Sequence, residues 1–481
     1  MTIPIYTTAE IRRIESAAAT AQPPLMERAG LAAADFAAAL ASERGKEVVV
    51  LAGPGNNGGD ARIAARILAE RFFRVTVAET LEALGAATRS CALVIDGLFG
   101  IGLARAVTGD HARMVEWANA QSCRVLALDV PSGLASDTGR VLGCAVRATH
   151  TLTFIGMKPG LLTLDGPDHC GEVSVAGLGL EAPAPATPSS TGWVVAPGLI
   201  AHALKPRPLN FHKGNAGSLA IIGGAASMSG AALLAGRAAL RLGAGKVHVG
   251  LLDPAAPGFD PACLELMLRD PDEVLGLDLD AIVAGPGLGQ GDRAQILLGA
   301  ALASDIPCIL DADALNLLAG SDAMRQACTR RSADTLITPH PAEAARLLGI
   351  KTSEVQNDRL RAAFLLRDRF NAHVVLKGNG SILVARDGRW FINTSGNPGM
   401  ASAGMGDVLA GILGALAAQG LAGQDALLLG VHLHGAAADD CVARSVGPVG
   451  LTASEVADAA RRVWNAWLAA QATRTRALGS G

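Results

Sequence analysis

The strongest constraint on the fold of this 481-residue chain is an alternation of short, continuously apolar runs with helical stretches. EVVVLAG around Val49, RVTVA around Val75, ALVIDGLFG around Val94 and RVLALDVPSG around Leu126 are runs of this kind. Strands that are apolar on both faces must be covered on both, which predicts a parallel sheet between two layers of helices. The pattern breaks at Glu181 to Thr191 (EAPAPATPSST), where three prolines among small residues neither continue a helix nor pair in a sheet. It returns as SLAIIGG, KVHVGLL, AIVAGPGLG, CILDADAL, TLITPHP and HVVLKGNGSILVA, followed by a long helical tail. Two α/β domains of three layers are expected, over residues 1–185 and 192–481. Their motifs fall at different strand ends, so the second is not a repeat of the first.

Composition narrows the partners. A formal net charge of −3 and a pI near 6.4 leave no broad basic field for nucleic acid, so binding must be local. Apolar runs are interrupted before the roughly 18 residues that a membrane span needs. The start, MTIPIYTTAEIRRIESAA, has neither a basic leader nor a long apolar core, so no secretory signal is expected. Eight cysteines without a Cys-x-x-Cys pair read as reduced, mostly buried thiols, which fits a cytoplasmic protein and argues against structural zinc. Aromatics are only 3% of the chain, so small side chains must do much of the packing between helices and sheet. The first domain reads as a Rossmann-like α/β domain.

In the second domain every candidate group follows a strand, where open α/β sheets place their ligand crevice. GNPGMASAGMGDVLAG (Gly396 to Gly411) is a glycine-rich turn running into an apolar helix. Its free N–H groups and the helix dipole suit phosphate, and Asp407 at its end is placed to act as a general base beside a phosphoryl group. VVLKGNGSILV sets Lys377, Gly378, Asn379, Gly380 and Ser381 in a tight hairpin, which is either a nucleotide cradle or an ordinary turn with an exposed lysine. GPGLG (Gly285 to Gly289) follows AIVA, and TPHPAE holds His340 between prolines ahead of Glu343. In LDADALNLL, Asp311 and Asp313 are open to a metal-linked or a helix-capping role, with capping favoured for Asp313.

Taken together, AGMGDVLAG, GPGLG, TPHPAE, the KGxxT-like turn and HKGNAGSLAIIGGAASMSGAALLAGRAALRLGAGKV from His212 resemble the ADP- or ATP-dependent NAD(P)H-hydrate dehydratases, which are ribokinase-like. The resemblance implies that Ala231, Gly287, His340 and Asp407 contact the hydrated nicotinamide nucleotide. Lys377 to Ser381 together with Gly404, Met405 and Gly406 would hold ADP or ATP, and Glu343 matches an acid near magnesium. Lys213, Gly223 and Gly224 are expected beside the same strand-to-helix turn as Ala231. Ala403 and Ala342 stand where the family usually has glycine, and Ser381 where it has threonine.

In the first domain, GPGNNGGDA (Gly53 to Ala61) lies between a strand and a helix, while DGLFGIGLARAV and LDVPSGLASDTG each end a strand with an acid. The first motif is not GxGxxG, which disfavours an ordinary redox dehydrogenase. Its asparagines and glycines can line a phosphate pocket and leave an amide oxygen for a cation, or form only a tight turn. With LMERAG and TFIGMKPGLLT, these motifs resemble the NAD(P)H-hydrate epimerase domain. The resemblance implies potassium held by Asn57, Asp96 and Ser132. It implies substrate at Asn56, Asn57, Gly58, Gly59 and Asp60, at Gly100, Ile101, Gly102, Leu103, Ala104, Arg105 and Ala106, and at Asp129, a catalytic candidate with Asp407. Ala61 replaces a usual glycine and Ile101 a usual threonine.

The expectation is a bifunctional repair enzyme in which one domain interconverts the R and S hydrates of NADH and NADPH. The other returns the S form to the intact cofactor at the expense of ADP or ATP, with magnesium. Small molecules and a second copy of the chain are the expected partners, with neither nucleic acid nor membrane. A small-molecule kinase and a first domain that only binds are the competing readings.

Overall fold

A computed structural model describes residues 3–41, 47–85, 91–180 and 191–478. The chain divides into two compact units, Thr2–Val194 and Val195–Gly481. The proline-rich segment 181–190 lies outside the described residues.

The first unit contains β1 (Pro4–Ile5), β2 (Glu47–Ala52), β3 (Arg74–Ala78), β4 (Cys91–Gly97), β5 (Arg124–Leu128), β6 (His150–Phe154), β7 (Glu172–Ala176) and β8 (Gly192–Val194). Six of them form a parallel sheet in the order β3-β2-β4-β5-β6-β7. β1 pairs antiparallel with β8, which brings 192–194 into this unit and sets the division three residues beyond the start expected for the second domain. Alternation along each strand explains the layers. Val48, Val50 and Ala52 face a core that includes Ala33, Ala37, Ala64 and Leu68 of the helices Leu25–Leu40 and Asn56–Glu70. Val49 and Leu51 face a second core with Met114, Val115 and Ala118 of the helix Gly109–Asn119. Because β2 lies between β3 and β4, the chain reverses direction across the sheet there, and the crevice at this switch point opens beyond the ends of β2 and β4.

In the second unit, β9 (Ser218–Gly223), β10 (Lys246–Leu251), β11 (Met267–Arg269), β12 (Ala281–Ala284), β13 (Cys308–Leu310), β14 (Thr335–Ile337), β15 (His373–Leu376), β16 (Ser381–Val384) and β17 (Trp390–Asn393) run in the order β17-β16-β15-β14-β13-β12-β9-β10-β11. β9 to β15 are parallel to their neighbours and β11 joins them at the edge, while β15, β16 and β17 form antiparallel hairpins. The switch point lies between β9 and β12. The helix Met405–Ala418 packs on the sheet at Leu219 and Val283, and against the helix Ser229–Arg241 at Gly411. A Cβ at Gly411 would stand 2.1 Å from the Ala235 carbonyl oxygen, so only glycine permits this approach. Among the described residues no helix is long and apolar enough to cross a membrane.

Candidate functional site

Each unit gathers charged groups at its own switch point. In the first, the helix Asn56–Glu70 starts directly after β2. Its buried Asn57 donates from Nδ2 to the Leu128 carbonyl at 3.1 Å, while its Oδ1 is buried without a partner. Asp96, fully buried near the end of β4, accepts from the Ser132 hydroxyl at 2.6 Å and from the Ser132 and Leu98 N–H groups at 2.8 and 3.2 Å. Burial pushes the Asp96 carboxyl up to about 6, against the pull of those hydrogen bonds.

Asp129, just past β5, adopts φ +64°, in the left-handed region that non-glycine residues seldom hold. Lys158 locks it there. That lysine is completely buried and spends its three hydrogens on Asp129 Oδ1 at 2.5 Å, Thr153 Oγ1 at 2.8 Å and the Phe154 carbonyl at 2.7 Å. The other Asp129 oxygen turns toward the 100–106 loop, since a Cβ on Gly100 would lie 3.1 Å from Oδ2 and 3.4 Å from the Asn57 side chain. Asp60, three residues beyond Asn57 on the same helix, has its carboxyl pushed up to about 8 by burial and by the charges of Asp129 and Glu15. The structure thus brings Asn57, Asp60, Gly100 and Asp129 together. Asn56, Gly102, Ala104, Arg105 and Ala106 are exposed, and Gly59, Ile101 and Leu103 are half-buried. Ala61 points its methyl at the space left by Gly97, so the departure from glycine is absorbed in helix–strand packing. Lys158 and Glu15 were missed in the sequence, although a lysine inside the apolar TFIGMKPGLL is a signal that burial must be compensated.

In the second unit, Lys377 ties the site together. Its ammonium donates to Asp311 Oδ1 at 2.8 Å and lies 3.9 Å from Glu343. Burial, which lowers an ammonium pKa, is outweighed by Asp311, Glu343 and Asp407, and the net shift is upward. The exposed-lysine reading of this turn is thereby corrected. Asp311 is itself buried and accepts the Thr338 hydroxyl at 2.7 Å.

Asp407 is the third residue of the helix Met405–Ala418, which begins after Gly404 at φ +86°. Burial and the Asp311 charge push its carboxyl up to about 6, while Lys377 opposes them. A Cβ on Gly406 would lie 3.2 Å from Asp311 Oδ2 and 3.3 Å from Lys377 Nζ, so the start of the helix faces this cluster.

His340 caps the helix Pro341–Leu348: its Nδ1 accepts from the Ala342 and Glu343 N–H groups at 3.1 and 3.4 Å, and its own N–H donates to Glu343 at 2.8 Å. Every residue but proline supplies that N–H at 342, so the alanine there does not disturb the turn. Burial and the charge of Lys377 hold the imidazole below its ordinary pKa, and with Nδ1 accepting, the neutral ring carries its hydrogen on Nε2. Gly287 and Ala231 come together at the switch point, where a Cβ on Gly287 would lie 3.3 Å from that of Ala231.

Three residues are placed differently from the sequence reading, and two supports are added to it. Asp313 does not cap its helix; its carboxylate holds the Gly289 N–H at 2.9 Å and Asn316 at 3.2 Å, which pins the GPGLG turn. Lys213 is exposed and its carbonyl adjoins Gly245 at the entry to β10, the end of the sheet opposite Gly223 and Gly224. The Ser381 hydroxyl gives its hydrogen to the Gly378 carbonyl at 3.0 Å, inside the turn. Beneath that turn, buried Arg359 donates to the Leu376 and Lys377 carbonyls, a support that the sequence did not reveal. Asp439 likewise holds the Gly396 N–H at 2.9 Å and Asn397 at 3.0 Å, fixing the start of the glycine-rich turn. Ala403 is exposed. Among the described residues no three His, Cys, Asp or Glu side chains form a cluster able to hold a metal ion.

Two family models match the chain: NAD(P)H-hydrate dehydratase over residues 219–462, and the YjeF-related protein N-terminus over residues 22–86 and 78–160. A bifunctional NAD(P)H-hydrate repair enzyme of Coxiella burnetii is 37% identical over 94% of this chain and 97% of its own. Its counterpart in Escherichia coli is 37% identical over 92% and 89%. Among solved structures, an ADP/ATP-dependent NAD(P)H-hydrate dehydratase from Bacillus subtilis, co-crystallised with ATP and Mg2+, is 30% identical. It aligns with a TM-score of 0.51 over 57% of this chain and 98% of that one.

Proposed function

The chain belongs to the bifunctional NAD(P)H-hydrate repair enzymes, and on that premise we propose which residues carry each of its two activities. Residues 1–185 are the epimerase and residues 192–481 the dehydratase. The observation that carries the second assignment is the joining of Asp407, Lys377, Asp311 and Glu343 at one helix N-terminus.

The hydrate bears a hydroxyl on the ring carbon next to nitrogen, and hydroxide leaves poorly at neutral pH. Asp407 takes the hydroxyl proton and the oxygen attacks the terminal phosphoryl of the nucleotide, whose bond to the remainder breaks to release AMP from ADP or ADP from ATP. Phosphate then departs from the ring carbon with its bonding pair while the adjacent ring carbon gives up a proton and the ring double bond forms. The N–H groups of Gly404, Met405 and Gly406 and the Lys377 ammonium stabilise the charge on the transferred group. The turn Lys377 to Ser381 cradles the nucleotide, with ADP favoured over ATP as donor. Ala231, Gly287 and His340 hold the hydrate, His340 as a donor through Nε2. Magnesium fits beside Glu343, a buried carboxylate whose pKa is raised first by burial and which gains from a further cation. When bound, it would supply positive charge that offsets the charge of the nucleotide phosphates.

In the first unit the partnerless Oδ1 of Asn57, the Asp96 carboxylate and the Ser132 hydroxyl are hard oxygen donors that fit potassium, which would supply fixed positive charge near the substrate. Substrate occupies the positions from Asn56 to Asp60 and Gly100 to Ala106, against Asp129 as the catalytic carboxylate. A cytoplasmic location and assembly into a homo-oligomer belong to the same reading. Incubating the protein with mixed hydrates and either ADP or ATP, and following recovery of reduced cofactor, tests it. Full recovery with ADP is expected; recovery without any nucleotide would contradict the phosphoryl route.

A further inference from the structure

The two carboxyls of the first site are treated differently by their surroundings. Asp129 receives the ammonium of Lys158 at 2.5 Å, which fixes one oxygen and leaves the other facing Gly100. Among the described residues no group donates to the carboxyl of Asp60, which is 9% exposed. The two stand close: Asn57 is tethered to the carbonyl of Leu128, and Asp60 follows Asn57 by three residues on the same side of the helix. Glu15 approaches from the helix Thr8–Ala17, which Asp137 anchors through the Thr8 N–H at 2.7 Å.

We propose that a carboxyl pair runs the epimerisation, Asp129 accepting a proton and Asp60 donating one, with Lys158 as the positioning residue that assigns the roles. The inference rests on reading this unit as the epimerase site around Asp129. Asp129 Oδ2 removes the proton of the hydrate's hydroxyl, and the O–H electron pair becomes the second bond of a carbonyl. The bond from that carbon to the ring nitrogen breaks, its electron pair stays on nitrogen, and the Asp60 proton is transferred there. Rotation of the open chain presents the other carbonyl face. Nitrogen then attacks while Asp60 recovers its proton and Asp129 returns the other, so nothing is consumed.

The charges around Asp60 favour its neutral form. Burial comes first, followed by Asp129 and Glu15, and its carboxyl is pushed up to about 8. Glu15 is itself raised by burial and Asp129, against Lys158 and Arg12. On the neighbouring helix Leu25–Leu40, Glu27 pairs with Arg66, Arg28 donates to the carbonyls of Gln22, Pro23 and Leu178, and Asp35 pairs with Arg71. On β4, Asp96 is taken by Ser132. Paired carboxyls in unlike surroundings, one held by an ammonium and one buried without a donor, are suited to base and acid roles.

The test follows conversion of the R hydrate of NADH to the S form by the full-length protein without nucleotide, across pH. Wild type should lose kcat/KM above about pH 8. Asp60→Asn should be slower by roughly 10²-fold and lose that high-pH limb, while dehydrating the S hydrate with nucleotide at the normal rate. Lys158→Met should lower the epimerisation kcat with KM little changed, because Asp129 loses the ammonium that fixes one of its oxygens and turns the other toward the substrate. A carboxyl-carbon NMR titration of the wild-type protein should find Asp60 still protonated at pH 7. An Asp60 carboxylate already ionised at pH 6, or Asp60→Asn within threefold of wild type with its high-pH limb intact while Asp129→Asn is inactive, overturns the proposal. Full activity in Asp129→Asn would instead overturn the reading on which it rests.

Discussion

Asp407 illustrates how a single residue is tuned by its neighbours. Its carboxyl is pushed up to about 6, so below that pH it is protonated and cannot accept a proton. Dehydration kcat/KM should therefore fall about tenfold per pH unit below 6 and level off above, as measured in a pH–rate profile. Asp407→Asn keeps the size but removes the base, so turnover should drop by roughly 10²-fold while nucleotide binding, read by calorimetry, survives. In the first unit, Asp96→Ala removes an expected cation ligand and should impair epimerisation while leaving dehydration of the pure S hydrate intact; equal loss of both activities would count against a local role. Asp407 was legible because an acid closing a glycine-rich turn is a local pattern. Lys158, Arg359 and Asp439 were not, because Lys158 reaches Asp129, Arg359 reaches Leu376 and Lys377, and Asp439 reaches Gly396, through contacts that only folding creates.

At the scale of elements, the parallel strands and the long helices of the second unit were readable because continuous apolar runs and helical periodicity are local signals. The short strands β1 and β8 were not, since two or three residues carry no period. Position in the fold also decided the errors: Asp313 looked like a cap by its place before a helix, but the GPGLG turn arrives from elsewhere and claims its carboxylate. Helix approach makes a separate prediction. Gly411→Ala would push a methyl into the Ala235 carbonyl, costing about 1–3 kcal/mol and shifting the helix that carries Asp407. Gly299→Ala, on the helix Asp292–Ala303 with nothing within 4 Å of the new methyl, should be neutral or stabilising by about 0.5–1 kcal/mol. Thermal melting of the two variants side by side checks the contrast.

For the whole molecule, the two units matter because one substrate has two epimers. Each unit has its own core, its own switch point and its own charged cluster, and the released hydrate can diffuse from one site to the other. The division of labour therefore predicts a kinetic signature without any special contact between sites. The most direct measurement follows recovery of NADH from an equal mixture of R and S hydrates, with ADP, magnesium and potassium, by wild type and by full-length Asp129→Asn. Wild type should recover both epimers in one fast phase. The variant should recover the S form at the same rate and then slow to the spontaneous exchange of the R form. A variant that consumes both epimers rapidly, or a wild type that stalls after the S form, would contradict the account.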